Sequence, residues 1–173
     1  GMRLGELRGL RWADIDLTHG RIAVRSTLYM FEGKWTFGEP KSDQSRRSIT
    51  LSALALNALK THRTTQLEHR LEVGEEWQDW DLVFCGPLGQ PITEKAVRGP
   101  FHRMLAQIGL PPIRLHDLRH SAATLLLSQG VHPRIVQDLL GHSTISLTLD
   151  VYSHMLPNLQ KEAADKMDAI FSA

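Results

Sequence analysis

Apolar and polar residues alternate in three short stretches of the first third of the chain. Residues 21–28 alternate with a period of two, which is typical of a β-strand with one buried face. Residues 35–37 and 47–51 also have β character, and a turn at 32–34 precedes the former. The polar, proline-containing stretch 38–45 predicts a loop between them. We therefore expect three strands, joined by turns, in one small antiparallel sheet.

The first ten residues and the rest of the chain have the spacing of helices. Apolar residues recur every three or four positions, and capping residues such as Ser52 and Thr93 mark helix starts. Gly141 is a natural C-cap for the helix before it. The pair Gly99 and Pro100 interrupts another helix and predicts a kink or a new start. The predicted helices cover residues 2–10, 52–72, 93–109, 116–129, 133–140, 144–151 and 158–173, so we expect a mostly α-helical α+β fold.

Length and composition fit one globular domain. The 173 residues are 42% hydrophobic and 23% charged, which is normal for a folded protein. The single cysteine, Cys85, excludes a disulfide framework and a cysteine-rich zinc module, and we expect a cytoplasmic protein. No apolar run approaches the ~18 residues of a membrane span. The first helix has no capping residue before it, so we expect a fragment that lacks earlier helices.

The net charge of +1 hides an uneven distribution. Segments 1–25 and 94–119 are rich in Arg and Lys, whereas segment 68–81 holds six acidic residues and one arginine. This pattern is compatible with one surface that faces phosphates and an acidic side in solvent. Ordinary surface charge is the alternative interpretation, and composition alone favours it.

A histidine and an arginine three residues apart, His116 and Arg119, are the first signal of chemistry. On a helix they share one face, where an arginine can hold two oxygens of an anionic ester and a histidine can transfer one proton. An ordinary polar helix face is the alternative. His116 and His120 also have the spacing of paired zinc ligands, but no third ligand is obvious, and we expect no metal.

Three further residues carry weaker signals. His142 projects from the turn after Gly141, Tyr152 follows ten residues later, and Lys41 lies in the loop between strands. A lone tyrosine is more often a core residue, and a loop lysine is normally just solvated. Each signal is weak alone, whereas the order and spacing of all of them together are distinctive.

Together these residues resemble the catalytic domain of the tyrosine recombinases, the phage integrase family. The matching stretches occur in the family's order: 1–7, 40–42 before Arg46 and Arg47, 116–120, 139–142 and 152–154. The resemblance implies a small three-stranded antiparallel sheet packed on a helical bundle. It also implies that residues 1–173 are a catalytic domain without its first helices and without the N-terminal domain that clasps the other face of DNA.

The resemblance also implies a role for six residues, with no cofactor. Tyr152 would attack a DNA phosphate to form a 3′-phosphotyrosyl link, with His116 as its base or hydrogen-bond partner. Lys41 would protonate the leaving 5′-oxygen. Three residues would bind the phosphate oxygens: Arg3, Arg119 and His142.

The implied function is that of a site-specific recombinase or integrase that cuts and rejoins double-stranded DNA. Five basic residues would contact the DNA: Lys95, Arg98, Arg103, Arg46 and Arg47. The helix at 158–173 would dock on another subunit, so we expect a homo-oligomer, a tetramer on DNA. Two alternatives remain open: a catalytically silent DNA-binding fragment of such a protein, and an enzyme similar to the type IB topoisomerases, which use the same chemistry as monomers.

Overall fold

The computed structural model describes residues 1–39, 45–146, 148, 164–165 and 167–171. In these residues the strands are β1 (Ile15–Asp16), β2 (Arg21–Val24), β3 (Thr27–Phe31), β4 (Lys34–Gly38) and β5 (Arg47–Thr50). The helices are α1 (Leu4–Arg8), α2 (Ala53–Val73), α3 (Glu94–Gln107), α4 (Leu115–Ser128) and α5 (Pro133–Leu140). This mixture of helices with short antiparallel strands confirms the predicted fold class.

The strands form two sheets rather than the single predicted one. A three-stranded antiparallel sheet has the order β1-β2-β5, and β3 pairs with β4 in a separate hairpin. The continuous strand predicted over 21–28 is therefore wrong, because the chain leaves the first sheet after Val24. The third member of that sheet is the two-residue β1, not the strand predicted at 35–37.

Contacts with the end of α1 explain the break between β2 and β3. The Ser26 hydroxyl lies at the break and donates to the Gly9 carbonyl at 3.0 Å. Gly9 itself packs against the backbone of β3, since a Cβ at this position would lie 2.9 Å from the Leu28 nitrogen. Only a glycine permits this close approach of two backbones. The alternating pattern of residues 21–28 cannot reveal the break, because the break depends on residue 9.

A two-residue turn joins β3 to β4. Its residues, Glu32 and Gly33, have positive φ angles of 46° and 76°. This backbone is typical of a type I′ turn, whose twist matches that of an antiparallel hairpin. The guanidinium of Arg11 stacks on the Phe37 ring at 3.8 Å from the centroid and holds the hairpin against the chain that follows α1. The turn predicted at 32–34 is thus confirmed.

The helices agree closely with the sequence pattern. α5 covers residues 133–140 as predicted, and α4 begins one residue before the predicted start. α1 is shorter than predicted, and α3 continues through Pro100 without a new start. The helices predicted at 144–151 and 158–173 lie mostly outside the described residues. Within the described ranges, no helix is both long and apolar enough to cross a membrane.

Two apolar clusters form the core. The first packs the three-stranded sheet against α2 and contains Leu10, Ile15, Ile22, Val24, Leu59 and Val83. The second lies between α4 and α5 and contains Ala123, Leu127, Val136 and Leu140. The end of α5 meets β5 and the start of α1 between these clusters. We call this meeting point of α1, β5, α4 and α5 the junction, and several of the candidate site residues described next lie there.

Candidate active site

Arg3 stands immediately before α1 and is held by the third residue of that helix. Glu6 accepts one hydrogen bond from the Arg3 backbone nitrogen and one from its Nη1, both at 2.8 Å. The first bond satisfies a free N–H group at the helix start, and the second orients the guanidinium. The other terminal nitrogen, Nη2, donates to the Gly141 carbonyl at 2.8 Å. Arg3 therefore connects the start of α1 to the end of α5.

Glu6 is a buried carboxylate that also binds a second arginine. Arg47 of β5 donates from Nη1 and Nη2 to the two carboxylate oxygens, at 3.1 and 3.0 Å. The side chain of Glu6 is 1% exposed and that of Arg47 is 6% exposed. Burial alone would raise the pKa of Glu6, but the hydrogen bonds from Arg47 and Arg3 outweigh it, so this pKa is lowered. Glu6 is ionised at neutral pH and anchors two arginines.

The contacts of Arg47 argue against the DNA contact predicted for it. Besides its bonds to Glu6, Nε donates to the Leu139 carbonyl at 2.7 Å and Nη1 to the Ser45 carbonyl at 3.1 Å. The first of these bonds satisfies a carbonyl at the C-terminal end of α5, where helical partners run out. With its guanidinium buried and bonded on all three nitrogens, Arg47 links β5 to α1 and α5.

Arg119 projects from α4 into the junction. The helix begins where the Asp117 carboxylate accepts the Arg114 backbone N–H at 2.8 Å, and Arg119 follows in its second turn. The residue is 5% exposed, and its Nη1 donates to the Gly1 carbonyl at 2.5 Å. Its Nη2 is buried and has no hydrogen-bond partner among the described residues. A buried polar atom without a partner is rare, and this one calls for an acceptor.

Positive charge accumulates around Arg119. Burial, followed by the charge of Arg3, lowers the pKa of Arg119 to about 10. Arg47 acts in the same direction, and the carboxylate of Glu6 opposes them. In the described part of the chain, three guanidinium groups thus interact with one carboxylate. The junction carries excess positive charge, which favours an anion.

His142 follows the residue that ends α5. Gly141 adopts the left-handed conformation, with φ 67° and ψ 47°, and turns the chain back towards the junction. The Gln137 side-chain amide donates to the His142 carbonyl at 3.2 Å, and the ring Nδ1 lies 2.9 Å from Oγ1 of Thr148. Burial, followed by the charge of Arg119, lowers the pKa of His142 to about 4. The ring is therefore neutral at pH 7 and carries one N–H.

His116 occupies the first turn of α4 and is exposed. Partial burial, followed by the charges of His120 and Arg119, lowers the pKa of His116. The rings of His116 and His120 pack edge to face, with their centroids 4.9 Å apart. A lowered pKa keeps His116 neutral at pH 7, which is the form that accepts a proton. His116 precedes Arg119 by three residues on α4, and His142 follows Gly141, whose carbonyl binds Arg3, so both histidines lie close to the junction.

The remaining predicted residues are either on the surface or not described. Lys41 and Tyr152 lie outside the described residues, and their roles stay predictions. Arg46 is exposed, and so are three basic residues of α3: Lys95, Arg98 and Arg103. Among the described residues, no group of three side chains is arranged to hold a metal ion.

Sequence reasoning missed Glu6, which holds two arginines, and Thr148, which contacts His142. In the sequence Glu6 is only one acid in a basic segment, although its distance from Arg3 along the chain indicates a helix start. An acidic residue three positions after Arg3, beside apolar residues that must be buried, fits the start of a helix. Thr148 carries no such signal, because its contact with His142 depends on the path of the chain after Gly141.

Comparison with known proteins identifies the family. The profile of the phage integrase family matches residues 1–158. The tyrosine recombinase XerC-like protein of Caldanaerobacter subterraneus subsp. tengcongensis is 31% identical and aligns with 99% of this chain and 47% of its own length. The ICEBs1 integrase of Bacillus subtilis is 33% identical over 97% of this chain and 45% of its own length. The chain belongs to the phage integrase family, as its motifs predict.

The fold is that of tyrosine recombinase catalytic domains. The Tn1549 transposon integrase, solved in complex with transposon right end DNA, matches with a TM-score of 0.78 and 23% identity, over 99% of this chain and 55% of that chain. The XerH site-specific recombinase bound to palindromic difH substrate matches with a TM-score of 0.63 and 27% identity, over 94% of this chain and 41% of that chain. The chain spans about half the length of the curated relatives it matches.

Proposed function

We propose that the chain is the catalytic part of a site-specific recombinase that cuts and rejoins double-stranded DNA through a phosphotyrosyl intermediate. One observation carries the proposal: Nη2 of Arg119 is buried at the junction beside Arg3 and has no partner within the described part of the chain. Family membership supports it, because the two relatives are named as a tyrosine recombinase and an integrase.

A DNA phosphodiester supplies the negative charge and the acceptor oxygens that the arginines of the junction would bind. It carries one negative charge, which spreads over its oxygens in the transition state, and planar guanidinium groups bind such oxygens in pairs. Arg119 offers a nitrogen that has no acceptor in the described ranges, and 39% of the Arg3 side chain remains exposed to an approaching ligand. His142 adds an N–H donor without adding charge, since its ring is neutral at pH 7.

In the proposed proton transfers His116, at the edge of the junction, acts together with Tyr152 and Lys41. The Oη of Tyr152 attacks phosphorus, the bond from phosphorus to the 5′-oxygen breaks, and the tyrosine proton passes to neutral His116. Lys41 gives a proton to the leaving 5′-oxygen. A tyrosine with a pKa of ~10 is a weak nucleophile until a base and nearby cations assist it. Rejoining reverses these steps, because the phosphotyrosyl link retains the energy of the broken bond.

The exposed basic side chains of α3 form the proposed DNA-contacting surface. Lys95, Arg98 and Arg103 are all exposed on one helix of 14 residues. Contacts from such residues to phosphates give affinity without sequence specificity. Arg46, which is exposed immediately before β5, is proposed as a further phosphate contact.

We further propose that the segment 158–173 docks on a second copy of the chain when DNA is bound. Three apolar side chains near its end are exposed: Met167, Ile170 and Phe171. Apolar residues at helical spacing need a groove to bury them. Deletion of residues 158–173 should reduce self-association on DNA in sedimentation while leaving the domain folded. An unchanged association state would remove the case for docking between subunits.

The replacement of Arg119 by lysine tests the proposed phosphate site. Arg119→Lys keeps the charge but loses the planar pair of donors, so cleavage of nicked duplex DNA should fall by about 100-fold or more. Arg70→Lys, on the exposed surface of α2 in the acidic segment, is the matched control and should cut at the normal rate. DNA binding is measured separately by fluorescence anisotropy.

Two results would contradict the proposal. Near-normal cleavage by Arg119→Lys would mean that the phosphate binds elsewhere. DNA binding without cleavage by the unchanged protein, tested at its natural length, would favour a catalytically silent DNA-binding protein.

A further inference from the structure

The ring of His142 is bonded on one side by a buried hydroxyl. Nδ1 of His142 lies 2.9 Å from Oγ1 of Thr148, and Thr148 is completely buried. The Thr148 backbone nitrogen donates to the Ile145 carbonyl at 2.9 Å, so the hydroxyl is held by a local turn. Thr148 is a residue to which neither the motifs nor the chemistry above assigns a role.

The direction of this hydrogen bond follows from the available acceptors. Among the described residues, Oγ1 of Thr148 has no hydrogen-bond partner other than Nδ1 of His142. If the ring donated from Nδ1, the hydroxyl hydrogen would be buried with no acceptor in the described part of the chain, which is unfavourable. If the hydroxyl donates to Nδ1, both groups are satisfied. The second arrangement therefore places the ring proton on Nε2.

We propose that Thr148 is a positioning residue that fixes His142 in the tautomer with its proton on Nε2. Within the described residues Nε2 makes no hydrogen bond, so its N–H remains available to a phosphate oxygen. The opposite tautomer would present a lone pair to that oxygen and repel it. Thr148 thus determines whether His142 acts as a donor, and this consequence for catalysis rests on the proposed function.

The backbone of His142 is held in place by hydrogen bonds with Gln137. Gln137 is buried, and its side-chain amide donates to the His142 carbonyl at 3.2 Å. The His142 backbone nitrogen in turn donates to the Gln137 carbonyl at 3.1 Å. With its backbone held twice by one residue, His142 depends on Thr148 for the orientation and tautomer of its ring.

Nuclear magnetic resonance tests the tautomer without any DNA. Long-range ¹H–¹⁵N correlation spectra of the ¹⁵N-labelled chain distinguish the protonated ring nitrogen, and His142→Gln assigns the signals. The unchanged chain and Thr148→Ser, which keeps the hydroxyl, should both show the proton on Nε2. Thr148→Val, which keeps the shape, should show a mixture of tautomers. Thr64→Val is the matched control, since the Thr64 hydroxyl donates to the Lys60 carbonyl on α2.

A cleavage assay with the protein at its natural length tests the consequence. Thr148→Val should cut about tenfold more slowly, as expected for the loss of one buried hydrogen bond. In a His142→Trp background the same change should have little effect, because an indole N–H donates without a choice of tautomer.

The two assays distinguish failure of this proposal from failure of the proposed function. A proton on Nδ1 in the unchanged chain, or identical ring signals in Thr148→Val, would overturn the role of Thr148 whatever the cleavage result. A correct tautomer in a protein that never cuts DNA would instead contradict the proposed recombinase activity.

Discussion

Glu6 is expected to be the residue whose charge most affects the stability of the junction. Its carboxylate accepts four hydrogen bonds from two arginines, at 2.8 to 3.1 Å. Glu6→Gln keeps the volume of the side chain but removes the charge. Arg3 can turn towards solvent, whereas Arg47, with 6% of its side chain exposed, would remain a buried charge without its partner. Removal of one partner of such a pair costs about 3–5 kcal/mol.

Urea and thermal unfolding, both followed by tryptophan fluorescence at pH 7, measure this cost. For a chain of this size each kcal/mol lowers Tm by about 2–4 °C, so Glu6→Gln should lower Tm by about 6–20 °C. Glu68→Gln, on the exposed surface of α2, is the matched control and should change little. The double variant Glu6→Gln with Arg47→Met should recover part of the loss, because it removes the unpaired charge. The reasoning would be refuted if the free energy of unfolding of Glu6→Gln were within about 1 kcal/mol of that of the control.

Three further predictions concern proton donation by Lys41, the pH dependence of stability and the salt dependence of DNA affinity. Lys41→Ala should block cleavage of normal DNA but cut a substrate with a bridging 5′-phosphorothiolate, because sulfur leaves without a proton; absence of rescue would reject Lys41 as the acid. The pKa of His142 falls to about 4 on folding, from about 6.5 when unfolded, so its contribution to stability is fully present above about pH 6.5 and is lost as the pH falls towards 4. His142→Gln should therefore flatten the rise in unfolding free energy between those pH values, and parallel curves for variant and parent would contradict this. The double variant Lys95→Ala with Arg103→Ala should reduce the slope of log affinity against log salt by about 1.8, whereas Arg70→Ala, in the acidic segment, should leave it unchanged.

Local sequence signals predicted the helices well. α5 begins with a proline, whose missing N–H is not needed in a first turn, and ends at Gly141, which adopts the left-handed conformation. Both signals lie within or beside the helix itself. The helix therefore has the predicted bounds, and His142 follows it in the turn.

Features that depend on distant residues could not be predicted in the same way. The break between β2 and β3 requires Gly9, and the burial of Arg47 requires Glu6, which lies 41 residues earlier in the chain. From sequence alone, an arginine beside Arg46 at the start of a predicted strand is indistinguishable from a DNA contact. The motifs thus predicted the candidate phosphate-binding residues, whereas the carboxylate that positions two arginines emerged only from the fold.

The most direct test of the central claim is whether Tyr152 becomes covalently linked to DNA. Nicked duplexes with a randomised core are incubated with the protein at its natural length, because cleavage beside a nick releases a short strand and traps the adduct. Denaturing electrophoresis should then show a protein–DNA adduct, and mass spectrometry of the digested adduct should locate the nucleotide on the peptide containing Tyr152. Tyr152→Phe keeps the ring and should bind DNA without forming the adduct. An adduct that persists in Tyr152→Phe, or that maps to another residue, would contradict the account.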